Sequence, residues 1–155
     1  MHEFGYYFAV FGSVIALGGL MSGKLIDMMG IRSLIGLGLS LMLMGGVSML
    51  AWHLLAEMSL QGFLIPMAIA CTGAMFVLGG AAAAALEPFG AIAGTAAAAF
   101  GTLDFGMSAI AGSILLLFPT TSTVPYGISI VLVSVLALGL FVAKGKLAEP
   151  QALAN

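Results

Sequence analysis

An all-α integral membrane protein is the fold class this sequence predicts, and three observations predict it. Hydrophobic residues make up 62% of the chain, charged residues only 6%, and the mean hydropathy is +1.23. A soluble domain carries about a quarter charged residues and could not cover its surface with so few. The apolar residues gather into five runs, each close to or above the roughly 20 residues that a spanning helix needs. The runs are too long, and alternate too little, to be strands of a closed barrel. Glycine is abundant inside them (22 residues in all), which suits membrane helices whose backbones approach closely. The chain therefore reads as one transmembrane domain, 1–155, of about five helices.

The first run, 4–22, opens with Phe4, Tyr6, Tyr7 and Phe8, an aromatic belt of the kind that settles at a membrane–water interface. The second, 33–52, ends on Trp52 and His53. The third, 60–86, is long enough to tilt, and Pro66 removes a backbone donor within it and predicts a kink. The fourth spans 92–118. The fifth, 126–143, is followed by Lys144, Gly145 and Lys146, which predict its end.

Between the first two runs lies Gly23-Lys24-Leu25-Ile26-Asp27-Met28-Met29-Gly30-Ile31-Arg32. It holds two of the four basic residues and one of the six acids, so it belongs in water or at a water boundary. Five alternating spans put 23–32, 87–91 and the tail after Lys144 on one side, and 53–59 and 119–125 on the other. All four Lys and Arg then share one face, which the excess of basic residues in cytoplasmic loops makes the cytoplasm. The predicted topology is N-terminus outside, C-terminus cytoplasmic. No Lys or Arg precedes Lys24, so the positive n-region of a signal peptide is missing, and the expectation is that at least one further helix lies upstream.

Within the charged stretch, Gly23 can end a helix and turn the backbone. With Gly19 it forms a small-xxx-small pair for helix contact. Asp27 can cap or face the N-terminus of a neighbouring helix. Arg32 can pair with a carboxylate or with anionic lipid headgroups. A plain interfacial loop would carry the same charges.

The stretch resembles the Gly-x-Leu-x-Asp-x-x-Gly signature between helices two and three of major facilitator transporters, repeated in weaker form between helices eight and nine. Gly23, Leu25, Asp27 and Gly30 match. Met28 and Ile31 stand where basic residues are usual, and only Arg32 keeps a charge, as in the second-half copy. Glu87-Pro88-Phe89-Gly90-Ala91-Ile92-Ala93-Gly94-Thr95-Ala96 resembles the loop and start of helix eleven in Bcr/CflA-type drug-efflux members, and Phe4-Gly5-Tyr6-Tyr7-Phe8 resembles the entry to helix eight. Ala91, Ala97, Ala98 and Phe100 depart from residues usual there. The resemblance covers nearly the whole chain and implies helices eight to twelve of a twelve-helix, two-half transporter. It implies proton-coupled efflux of drugs or other small molecules across a cell inner (plasma) membrane. Its partners would be the bilayer, protons, a small-molecule substrate and the N-terminal half, with the substrate held between the halves. Pro88, Gly94, Thr95 and Gly101 form the helix-packing motif, and Gly23, Asp27, Gly30 and Arg32 the gating-loop motif.

The fourth run carries the most informative polar residue. Gly94, Ala97, Gly101, Asp104, Ser108 and Ala111 recur at spacings of three and four, one stripe of small and polar side chains. Such a face packs on protein or lines a cavity. Asp104 sits near mid-span, where an acid costs roughly 2.5–3.5 kcal/mol on insertion scales, so it is the candidate for proton coupling or for the cavity wall. A packing residue bonded to Thr102 or Ser108 is the alternative reading. Phe63, Phe76, Phe100, Phe105 and the methionines could line a drug cavity.

A net charge of −2 points to no nucleic-acid partner. The single Cys71 allows no intrachain disulfide. His53 and Glu57 share a helix face by spacing but are too few for a metal. No nucleophile–base pair, phosphate loop or Cys/His cluster is present, so neither an enzyme, a cofactor nor a metal is expected. The alternative to transport is a non-transporting five-helix structural or regulatory membrane protein.

Overall fold

Each apolar run is a helix. The structure, a computed structural model, describes residues 2–55, 60–118 and 123–152, with backbone alone at 2–4, 6–8, 10, 60–61 and 144–152. Five α-helices follow one another: α1 (His2–Met29), α2 (Ile31–Leu55), α3 (Leu60–Leu86), α4 (Ala93–Leu115) and α5 (Val124–Ala152), with a 3-10 helix, Glu87–Ile92, between α3 and α4. Among the described residues, four segments are long and apolar enough to cross a membrane: Phe11–Met29, Ile31–Leu55, Gly62–Leu115 and Val124–Ala143. The third, of 54 residues, contains both α3 and α4. Phe89 (φ −107°, ψ 26°) and Ile92 (φ −126°, ψ 29°) leave helical geometry and separate the two. Pro88 opens the 3-10 turn, where its missing N–H costs nothing.

α3 begins and ends where its run does, and Pro66 lies inside it without ending it. The other boundaries move. α1 does not stop at Gly23: Lys24 to Met29 are helical, and the turn falls at Gly30. Gly30 has φ +82°, the only positive φ among the described residues. Its N–H donates to the Ile26 carbonyl at 2.9 Å and its carbonyl accepts from Leu34 N–H at 3.1 Å. One residue thus closes α1 and opens α2. A side chain there costs about 1–2 kcal/mol, so Gly30→Ala should lower stability to denaturant by that amount. Gly23→Ala, inside the helix with nothing within 4 Å of its Cβ position, should not lower it. At the other end, Lys144 to Lys146 do not terminate α5, which runs on to Ala152.

α2 is the hub. One face meets α3 in antiparallel register: Ile35 lies on Gly80, Gly38 on Gly73 and Val77, Gly45 on Pro66 and Ala70, and Trp52 on Gly62. A second face meets α5, also antiparallel: Gly36 lies on Phe141, Gly46 on Ile130 and Val131, and Leu50 on Gly127. α1 runs parallel to α3, with Gly18 against Met75 and Ser22 against Gly79. Small-residue contact on α1 thus uses Gly18 and Ser22, while Gly19 and Gly23 face open space. The four-residue spacing is as expected, displaced by one position.

The core lies where these helices cross. Leu34, Leu39, Met49, Ala70 and Phe76 are buried there. Two polar residues join them, Ser22 and Ser134, with hydroxyls donating to the Gly19 and Ile130 carbonyls, each at 2.7 Å. Bonding within the helix satisfies the hydroxyl where no water reaches. These registers place Gly30, the Glu87–Ile92 turn and the C-terminal part of α5 at one end of the bundle, and the last turns of α2 and α4 at the other.

Candidate functional site

α4 stands apart from this core. None of its residues is buried, although it is as apolar as its neighbours. Gly94, Gly101, Gly106 and Gly112 all have open space where a Cβ would be. The predicted stripe is present on a continuous helix, but among the described residues no other helix lies against its glycines. Pro88, Gly94 and Thr95 are exposed and Gly101 is half-exposed.

Asp104 lies midway along α4 and is half-exposed. The Thr102 hydroxyl, a proposed partner for it, donates instead to the Ala98 carbonyl at 2.8 Å. Ser113 likewise bonds back to Ala109 at 2.8 Å. Among the described residues no ion pair engages the Asp104 carboxylate. Gly101 and Asp104 are half-exposed, while Gly94, Ala97, Ser108 and Ala111 of the same stripe are exposed.

That face runs toward a groove. Ala111, the last member of the stripe, lines an apolar groove of about 590 Å³ with Ile114 of α4, Phe118 just beyond it, Met42 of α2, and Ile128 and Leu132 of α5. Ser129 adds a hydroxyl to the wall, donating to the Pro125 carbonyl at 2.7 Å. Seven residues, two helical turns or ~10 Å, separate Ala111 from Asp104. An acid and an apolar groove therefore share one helix face.

The aromatic residues do not converge on that groove. Phe76 is in the core, Phe105 is exposed on α4, and Phe63 meets Tyr126 edge-on at 6.4 Å between ring centres. Gly23 and Asp27 are exposed on the last turns of α1. Arg32 reaches neither a carboxylate nor α1. Its guanidinium lies over the Phe141 ring of α5 at 5.8 Å, a cation–π contact. His53 is exposed at the end of α2, while Glu57 and the 119–122 connection lie outside the described residues, as do the side chains of Phe4, Tyr6, Tyr7 and Phe8. No cluster of three His, Cys, Asp or Glu side chains occurs among the described residues.

Two elements escaped the sequence reading. Phe141 as the seat of Arg32 could not be foreseen, because the pairing spans residues 32 to 141. The glycines of the α2–α3 crossing had a visible signal, since Gly38 and Gly45 stand one heptad apart on one face of α2. Compared with known proteins, the chain matches no family model, no curated protein and no solved structure.

Proposed function

We propose that this chain is a membrane-spanning part of a proton-coupled exporter of small molecules, of the kind its sequence resembles in the Bcr/CflA branch of the major facilitator transporters. The observation that carries the reading is α4. An apolar helix that buries none of its residues in its own chain, yet presents small side chains and Asp104 along one face, is suited to line a shared cavity. An acid at mid-span is costly, and it is retained where it faces protein or a water-filled path. The rest of the transporter supplies the other wall, and Asp104 exchanges the proton that drives export.

The five α-helices are the spans. At 27 residues α3 is ~40 Å long, so it tilts to fit a hydrocarbon core of about 30 Å. The bundle end that holds Gly30 also carries Lys24, Arg32, Lys144 and Lys146 on its helices, and the positive-inside rule makes that end cytoplasmic in the plasma membrane.

The test has two readouts. In a Cys71→Ala background, single cysteines at Ser59 and Thr121 should react with an impermeant thiol reagent in intact cells, and cysteines at Met28 and Gly90 should not. The reverse pattern would overturn the orientation. In vesicles holding the complete transporter, an imposed proton gradient should drive movement of a fluorescent lipophilic drug, and the 155-residue chain alone should move none. Gradient-independent behaviour of the complete protein would favour the structural, non-transporting reading.

A further inference from the structure

We infer that the Gly30 end of the bundle is a binding surface for anionic lipid headgroups, centred on Arg32. The inference rests on the membrane reading above, and it assigns this surface a ligand that transport does not require. Three observations carry it. The Arg32 guanidinium lies over the Phe141 ring, which also lies against Gly36 one turn further along α2. Among the described residues no ion pair takes up the Arg32 guanidinium or the Lys24 ammonium, although Asp27 and Glu87 share the same end.

The second observation is placement. The antiparallel α2–α5 register brings the C-terminal part of α5 beside the start of α2. Lys144 stands one turn beyond Phe141, and Lys146 follows. Lys24 is on the penultimate turn of α1, just before the Gly30 turn into α2. All four basic residues of the chain thus sit on three helices at one end.

The third is chemistry. A guanidinium with no ion-pair partner matches two oxygens of a phosphodiester, and the ring beside it adds a cation–π contact. In the membrane reading this end of the bundle lies at the level of the lipid headgroups, so the charge fits a lipid rather than free phosphate.

The experiment uses the full chain in nanodiscs made with equal phosphatidylglycerol and phosphatidylcholine, and measures the lipid retained after extraction into zwitterionic detergent. Phosphatidylglycerol should be enriched, and Arg32→Gln should lower the enrichment roughly fivefold, the effect of one basic residue near an anionic headgroup. Arg32→Lys should keep part of it. Phe141→Leu should lower it without removing a charge, a loss that general attraction to charge would not produce. Inorganic phosphate in excess should not displace the retained lipid, whereas displacement would assign the surface to free phosphate and overturn the proposal. Equal retention of the two lipids, or enrichment unchanged in Arg32→Gln, would also overturn it while leaving the membrane reading intact. A chain that stays in aqueous buffer and never enters nanodiscs would overturn both.

Discussion

Asp104→Asn, in a complete transporter containing this segment, should fold, bind drug and lose pH-driven export down to the level of empty vesicles. Asparagine keeps the size and the acceptor oxygen of the side chain but has no proton to release. Asp104→Glu keeps the proton and should retain measurable export, with a changed rate because the carboxyl moves by one methylene. The measurement is drug accumulation in inverted vesicles as the lumen is made acidic. Unchanged export and unchanged pH dependence in Asp104→Asn would make the residue a packing element and place coupling elsewhere. The substitution is a clean one, because the described structure gives the carboxylate no ion pair to lose, and Thr102 already has its bond to Ala98.

Enlarging the glycines of the α2–α3 crossing should damage the fold more than any change on α4. A Cβ on Gly73 would lie 2.5 Å from the Gly38 carbonyl oxygen and 2.7 Å from the Met42 nitrogen. On Gly45 it would lie 2.7 Å from both the Ala70 nitrogen and the Pro66 oxygen. These are backbone atoms of helices, which cannot swing aside as a side-chain end can. Overpacking costs typically about 1–3 kcal/mol, and Gly73→Ala and Gly45→Ala should reach the upper part of that range. Gly45→Leu should prevent α2 and α3 from associating. Gly101→Ala and Gly112→Ala, in open space, should leave stability unchanged or raise it through helix propensity. Loss of helical signal on titration into sodium dodecyl sulfate separates the two sets. Equal losses at Gly73 and Gly101 would mean that the crossing is not what holds the bundle.

The helices were legible in the sequence because their signal is local: long apolar runs, interrupted by charge. α3 was found to the residue. The end of α1 was not, since Gly23 and Gly30 offer the same local licence to turn. What decides between them is which one lets α1 lie along α3, with Gly18 on Met75 and Ser22 on Gly79, and those contacts are made far along the chain. The small-xxx-small rule was right in kind and one position off on α1. Helical phase relative to a partner depends on the partner's shape, here Gly79 and Met75. The Asp104 stripe was legible from spacing alone, but its isolation was not, because periodicity says that a face exists and is silent on what covers it. The Arg32 seat on Phe141 was hidden for the same reason as the glycine contacts of α2 with α5: both join residues separated by most of the chain.

That last pairing bears on the order of events during synthesis. α2 has two contact faces, and they mature at different times. The face carrying Gly38 and Gly45 meets α3, the next helix to emerge, so a hairpin closes early over a short loop. The face carrying Gly46 must wait for Ile130 and Val131 of α5, after α4 has been made and passed by. Non-local contacts of this kind are slow, because the intervening chain pays its loop-closure entropy before any reward. During that interval the Gly46 groove is an open seat for any helix that fits it. The step that completes the α2 contacts therefore belongs to α5, and a chain cut short before Val131 would leave α2 half unclaimed.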